Sequence, residues 1–126
     1  MITEDYVSYE TAKLLKEKGF NEECRAFYVK SKECGIELFP AERSHNYNDN
    51  IYPRTSAPTI QMAMKWLREK EIFIEITHDI FPSSHTYKYH YSVFCTKLEF
   101  YYSSNAYNFY EEACEAAIKY CLENLI

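Results

Sequence analysis

Glycine is scarce in this chain, with two residues among 126. Loops that cradle phosphate groups need several glycines, so the scarcity excludes a P-loop and a dinucleotide-binding loop, and no G-x-S-x-G motif is present. No segment approaches the roughly 18 apolar residues that cross a bilayer, and the start MITEDYVSYE lacks the basic and apolar regions of a signal peptide. These absences predict a cytoplasmic protein that makes no membrane contact.

Reactive side chains do not form a familiar motif either. The five cysteines are odd in number and include no C-x-x-C pair, which disfavours a disulfide framework and a thiolate zinc site. The four histidines lack the i, i+4 spacing of helical zinc ligands. His78, Asp79 and His85 could approach one another across a turn, but no further ligands are suitably spaced. We therefore predict no metal, no cofactor and no enzymatic activity, with a small hydrolase or metal enzyme as the lesser alternative.

The charge and the size limit the class of protein further. A net charge of −5, from 14 basic and 19 acidic residues, disfavours nucleic-acid binding through phosphate neutralisation. A length of 126 residues is usual for one domain, so we predict a single domain over residues 1–126. The 13 tyrosines and 8 phenylalanines supply large buried area, and the tyrosine hydroxyls favour positions at the boundary of the core.

Residues 85–102, HTYKYHYSVFCTKLEFYY, show the clearest periodicity of the chain. Tyr87, Tyr89 and Tyr91 share one parity with Val93 and Cys95, which predicts a half-buried strand. Two interpretations of this tyrosine ladder stay open. It is a stacking platform for single-stranded nucleic acid, or it packs under helices or forms a dimerising sheet face. The net charge favours the second interpretation.

The first helix is predicted from its ends. Ser8 is a good N-cap, and Val7 before it can close over Ala12. Gly19 supplies a left-handed position after the last turn, and Phe20 can then fold back onto Leu15 as in a Schellman ending.

The second helix is predicted to open with the residues Ser56-Ala-Pro-Thr and to carry two apolar strips. The first strip has helical spacing and consists of Ile60, Ala63, Met64 and Leu67. Met62 and Trp66 lie off that strip and need a partner of their own. Either the preceding loop folds over them, or Trp66 anchors an interface. The candidate interaction surface comprises Met62, Trp66, Tyr47 and Tyr52.

The remaining pattern predicts the fold class. Strands are expected at residues 24–30 and 36–39, a long loop over 40–57, and three further strands at 72–77, 87–95 and 98–102. Asn108 is expected to cap a last helix in which Cys114 and Cys121 are small core residues. The predicted order αββαβββα gives an α+β two-layer sandwich, with a mainly antiparallel sheet of about five strands and helices on one face.

Three segments carry a resemblance to a known group of proteins: VSYETAKLLKEKGF, APTIQMAMKWLRE and YEEACEAAIKYCLENLI. In this order they resemble a family of small uncharacterised proteins of gut Bacteroidales and of their phages and prophages. The resemblance implies a cytosolic accessory protein, phage-encoded or carried on a mobile element. It implies no catalytic or binding residues.

These observations predict a non-catalytic interaction protein that acts through protein–protein contacts with an unknown protein partner, and a homodimer stays open. The alternative is a nucleic-acid-directed role, either single-strand binding through Tyr87, Tyr89 and Tyr91 or regulation of a nucleic-acid enzyme.

Overall fold

The computed structural model describes residues 2–49 and 53–126. In these residues the chain forms three helices and six strands. In chain order they are α1 (Tyr9–Glu17), β1 (Cys24–Ser31), β2 (Gly35–His45), β3 (Arg54–Ser56), α2 (Ile60–Glu69), β4 (Ile72–Phe81), β5 (Thr86–Cys95), β6 (Phe100–Ser103) and α3 (Tyr110–Asn124).

The α+β class and the antiparallel pairing are confirmed, but the predicted single sheet of about five strands is wrong. The described strands form two three-stranded antiparallel sheets, ordered β2-β1-β3 and β4-β5-β6. The element order is αβββαβββα rather than αββαβββα. The chain also divides into two compact units, Met1–Gln61 and Met62–Ile126. The single domain over 1–126 stays a prediction.

Both ends of α1 follow the predicted capping pattern. The Ser8 Oγ accepts a hydrogen bond from the Thr11 N–H at 3.3 Å. At the other end Gly19 adopts a φ of 90°. The Phe20 N–H donates to the Leu15 carbonyl at 2.9 Å, which is the long bond of a Schellman motif. The Phe20 and Leu15 side chains are fully buried.

Strands of the first sheet occupy half of the predicted loop over 40–57. β2 continues through Pro40 to His45, and β3 begins at Arg54. Pro40 lies on β2, which is an edge strand, and proline within a sheet is largely confined to edge strands. Almost every residue of β2 is exposed, so this strand carries no alternation that sequence patterning could detect. Residues 50–52 of the predicted loop lie outside the described residues.

The two faces of β1 have different neighbours in the first unit. The Tyr28 hydroxyl donates to the Val7 carbonyl at 2.6 Å, and the Tyr28 ring meets Tyr9 of α1 edge-on. Phe27, on the opposite face, has its ring centroid 5.8 Å from that of Phe39 and 4.6 Å from that of Tyr47.

The second sheet is built on a long hairpin. β4 and β5 pair in unbroken register from Ile72 opposite Cys95 to Phe81 opposite Thr86. A turn over 82–85 joins β4 to β5, and β6 adds to β5 after a turn over 96–99. α3 packs against β4 and β5. Its buried residues include the predicted core thiols, and they are Ala113, Cys114, Ala117, Ile118, Cys121 and Leu122.

Two predicted helix starts are wrong. α2 begins at Ile60 and not at residues 56–59. Ser56 belongs to β3, and the Pro58 carbonyl accepts a hydrogen bond from the Val7 N–H. α3 begins at Tyr110 behind Phe109, whose side chain makes no capping bond. The Asn108 Oδ1 accepts instead from the Lys88 ammonium, so tertiary pairing has replaced the expected cap. Among the described helices, none is both long and apolar enough to span a bilayer.

Candidate functional site

The residues of the predicted interaction surface lie in different surroundings. Tyr47 belongs to the first unit and is 6% exposed, while Met62 and Trp66 belong to the second. Trp66 is 7% exposed, with the Lys70 Nζ 4.5 Å from its ring centroid, and Met62 is half-buried. Tyr52 lies outside the described residues. The surface as a whole stays a prediction.

The tyrosine ladder lies on the face of β5 that α3 covers, and its exposure falls along the strand. Tyr87 is 55% exposed, Tyr89 is half-buried, and Tyr91 is 4% exposed. The Tyr91 ring lies 6.2 Å from Tyr120 of α3, centroid to centroid. The ring with the most extensive contacts is therefore the one that is least accessible to a stacked base.

The other face of the same sheet carries a line of exposed aromatic side chains. Phe73 of β4 pairs with Phe94 of β5, and Phe94 pairs with Tyr101 of β6. Direct cross-strand partners point to the same side of a sheet, so these three rings share one face. They are 42%, 54% and 57% exposed, respectively. We call Phe73, Phe94 and Tyr101 the outer row.

Strand register explains why sequence reasoning missed the outer row. Phe73 and Phe94 alternate with buried or half-buried neighbours, as Phe94 does with Val93 and Cys95. Taken singly, an exposed aromatic residue on a strand is ordinary. Only the pairing of three strands brings the rings into line, with the Phe94 and Tyr101 centroids 5.1 Å apart. The one sign of the outer row in the sequence was that each of the three strands carries an aromatic residue at a position that alternation assigns to the solvent side.

The polar residues on the same face as the outer row include charges of both signs. Glu75, Ser92 and Ser103 form the next cross-strand line, and the Tyr101 hydroxyl donates to the Ser92 Oγ at 3.5 Å. Farther along the face, the Asp79 carboxylate lies 3.5 Å from the His90 Nδ1 and faces Lys88 in register. This face is thus an apolar line followed by polar lines without a block of one charge.

Two buried thiols, those of Cys24 and Cys121, are poorly suited to nucleophilic chemistry. The five cysteines form no disulfide, and Cys34 alone among them is exposed. Burial raises the pKa of the Cys24 thiol to about 11, with the Glu22 carboxylate adding to the rise. Burial also raises the pKa of Cys121 to about 12, helped by the neighbouring Cys95. Both thiols are therefore protonated at neutral pH, whereas a cysteine acts as a nucleophile only as the thiolate. Within residues 2–49 and 53–126, no three His, Cys, Asp or Glu side chains assemble to hold a metal ion.

The raised thiol pKa values predict a loss of stability at alkaline pH. An unfolded cysteine ionises near its ordinary pKa of 9.0, whereas folded Cys24 and Cys121 keep their protons until about 11 and 12. The stability that the two buried, protonated thiols contribute is fully present below pH 9. It is lost as the pH rises towards their pKa values in the folded state. We expect the free energy of unfolding, measured in urea, to fall by about 1–2 kcal/mol per thiol by about pH 10.5.

Alanine variants separate this effect from other alkaline titrations. Cys121→Ala should flatten the dependence of the unfolding free energy on pH above 9. Cys34→Ala, at an exposed position, should leave the slope as it is in the wild type. An unchanged slope in Cys121→Ala would contradict the assignment.

Comparison with protein-family models, with curated proteins and with solved structures gave no match. The resemblance to the Bacteroidales and phage family therefore stays a prediction, and functional inference rests on the geometry alone.

Proposed function

We propose that this chain is a non-catalytic interaction protein whose contact surface is the outer row, and that a second copy of the chain occupies it. The observation that supports the proposal is the alignment of Phe73, Phe94 and Tyr101 on one solvent-facing side of three paired strands. Aromatic side chains are the usual anchors of protein interfaces.

The size of the exposed aromatic surface agrees with an interface centre. If a whole aromatic side chain has roughly 200 Å² of surface, the three exposures leave about 300 Å² of ring in water. Contiguous apolar patches of this size on a monomer are often functional. A standard interface covers about 800 Å² on each partner, so the outer row supplies its apolar centre and the polar lines supply its rim.

A second copy suits this surface because a two-fold axis sets the outer row of one chain against the same row of the other. Such an isologous contact pairs aromatic rings with aromatic rings. Each copy carries a net charge of −5, which opposes association at long range. Farther along the same face, Asp79 lies near His90 and opposite Lys88, so the polar part of this face is not uniformly acidic.

Replacing Phe94 with threonine is expected to raise the dimer dissociation constant at least tenfold, because Phe94 is the middle residue of the row and its ring would lie at the centre of the interface. Threonine keeps the branched side chain that suits a strand. Sedimentation equilibrium over a range of protein concentrations measures the change. Wild-type association should strengthen as salt rises to about 0.3 M, because salt screens the repulsion between the two chains.

Tyr87→Thr is the matched control. Tyr87 lies on the same strand and is as exposed as Phe94, but it points to the opposite face. This variant should dimerise as the wild type does. A wild-type protein that stays monomeric at every concentration, or equal weakening in both variants, would show that the outer row does not bind a second copy.

The nucleic-acid alternative and the phage association stay predictions. Titration of the same wild-type and Tyr87→Thr proteins with short oligonucleotides tests the first of them. Binding to a nucleic acid should weaken as salt rises, which is opposite to the salt dependence expected for the dimer.

A further inference from the structure

The first unit contains an open cleft of about 370 Å³ whose lining is unusually basic for an acidic protein. Among the described residues its lining consists of Arg43, Ser44, His45, Tyr47 and Arg54, and we call it the arginine cleft. Two of these five side chains are guanidinium groups and a third is an imidazole. The chain as a whole carries a net charge of −5, so the cleft is a local reversal of charge.

An irregularity in the first sheet places the basic residues in the cleft. Cys24 of β1 pairs with His45, but Ala26 pairs with Pro40. Residues 41–44 of β2 therefore lie opposite Arg25 alone. Bulges of this kind turn side chains away from the regular alternation and are common beside binding sites. Here the bulge brings Arg43 and Ser44 to the same side as His45.

Arg54 is held in place before any ligand arrives. Its guanidinium carbon lies 4.9 Å from the Tyr47 ring centroid and 5.4 Å from that of Phe27. Its backbone carbonyl accepts a hydrogen bond from the Lys16 Nζ at 2.9 Å. A guanidinium stacked on two rings loses little further freedom when it binds an anion, which favours affinity.

Tyr47 joins the parts of the cleft to one another. Its hydroxyl donates to the Arg43 carbonyl at 2.8 Å, and its N–H donates to the Ser56 Oγ at 2.8 Å. The His45 ring meets the Tyr47 ring edge-on at 5.1 Å. The backbone that carries Arg43 is thereby tied to the residue that supports Arg54.

One carboxylate already lies within this basic group. The Asp49 Oδ2 is 3.0 Å from the His45 Nε2, and the Asp49 Oδ1 is 4.0 Å from the Arg54 Nη2. A ligand with a single carboxylate would only replace the contacts of the Asp49 carboxylate with equivalent contacts of its own. A phosphate monoester brings about two negative charges and three acceptor oxygens, which match the forked donors of two arginines.

We propose that the arginine cleft binds a small phosphorylated polar molecule of the sugar phosphate class, with its phosphate group between Arg43 and Arg54. The cleft volume is within the range of small-molecule sites, so it holds more than inorganic phosphate. In this proposal the sugar part of the ligand binds the Ser44 hydroxyl and the His45 imidazole, since both residues line the cleft. This site is independent of the outer row, which belongs to the second unit.

Isothermal titration of the full chain with ribose 5-phosphate tests the proposal, with inorganic phosphate and ribose as the two partial ligands. Ribose 5-phosphate should bind more tightly than inorganic phosphate, and ribose should not bind. Arg43→Gln should weaken the binding of ribose 5-phosphate at least tenfold without changing the melting temperature, because Arg43 is exposed. Asp49→Asn should strengthen binding severalfold, since it removes the competing carboxylate.

Arg68→Gln is the matched control for charge. Arg68 is an exposed arginine in the last turn of α2, and it does not line the cleft. It should retain wild-type affinity although the net charge changes by the same amount as in Arg43→Gln. The proposal is overturned if millimolar ribose 5-phosphate gives no binding heat, if Arg43→Gln binds normally, or if Arg68→Gln is weakened as much as Arg43→Gln.

Discussion

Trp66→Ala is expected to lower the free energy of unfolding by about 3–5 kcal/mol, the range for a buried tryptophan truncated to alanine. Trp66 is nearly fully buried, and its ring also carries the Lys70 ammonium over one side. A domain of this size has roughly 5–15 kcal/mol of stability, so the variant loses a large fraction of the total. Urea unfolding followed by far-UV circular dichroism measures the change without relying on the missing indole.

Tyr87→Ala is the control for this prediction, because it removes an aromatic ring that is more than half exposed and lies outside the outer row. It should cost about 1 kcal/mol or less. The comparison also decides between the two interpretations of Trp66 as covered core and as interface anchor. A Trp66→Ala variant as stable as Tyr87→Ala would contradict the core assignment and favour the anchor.

Phe20→Ala is expected to cost a similar 3–5 kcal/mol, because the Phe20 side chain is fully buried at the Schellman end of α1. The Phe20→Ala variant keeps the backbone N–H that donates to the Leu15 carbonyl. The loss of unfolding free energy therefore reports on side-chain packing alone. Urea unfolding measures it through circular dichroism and through fluorescence. Trp66 is the only tryptophan of the chain, and its fluorescence reports on the second unit, whereas Phe20 belongs to the first.

This pairing of probe and mutation tests the predicted single domain. If residues 1–126 unfold as one cooperative domain, Phe20→Ala lowers the fluorescence midpoint and the dichroism midpoint together. If the units unfold independently, the fluorescence midpoint keeps its wild-type value and the dichroism curve gains an earlier step. A cost below about 1 kcal/mol by both probes would contradict the burial of Phe20.

Features that close within a few residues were predictable from the sequence. The cap at Ser8 and the Schellman bond from Phe20 to Leu15 each join residues at most five apart, so local chemistry is sufficient to define them. The alternation in β5 and the burial of Cys114 and Cys121 were also predictable, because one face of each element is covered and the period shows it.

Edge strands and the first residues of helices were harder to predict from the sequence. β2 is exposed along nearly its whole length, so it lacks the alternation that marks a half-buried strand, and Pro40 further disguised it. The Asn108 amide was a plausible cap by sequence, but its oxygen pairs with Lys88 on a distant strand. A local preference gives way when a tertiary contact satisfies the same polar group.

The sequence by itself determined the ends of α1, the faces of β5 and α3, and the α+β class, because their interactions are short-range or periodic. Only the tertiary structure decided that the strands form two sheets, that Phe73, Phe94 and Tyr101 stand in one line, and that Arg43 and Arg54 border one cleft. Strand pairing and register join residues far apart in the chain, and a shift of one residue would send each side chain to the other face.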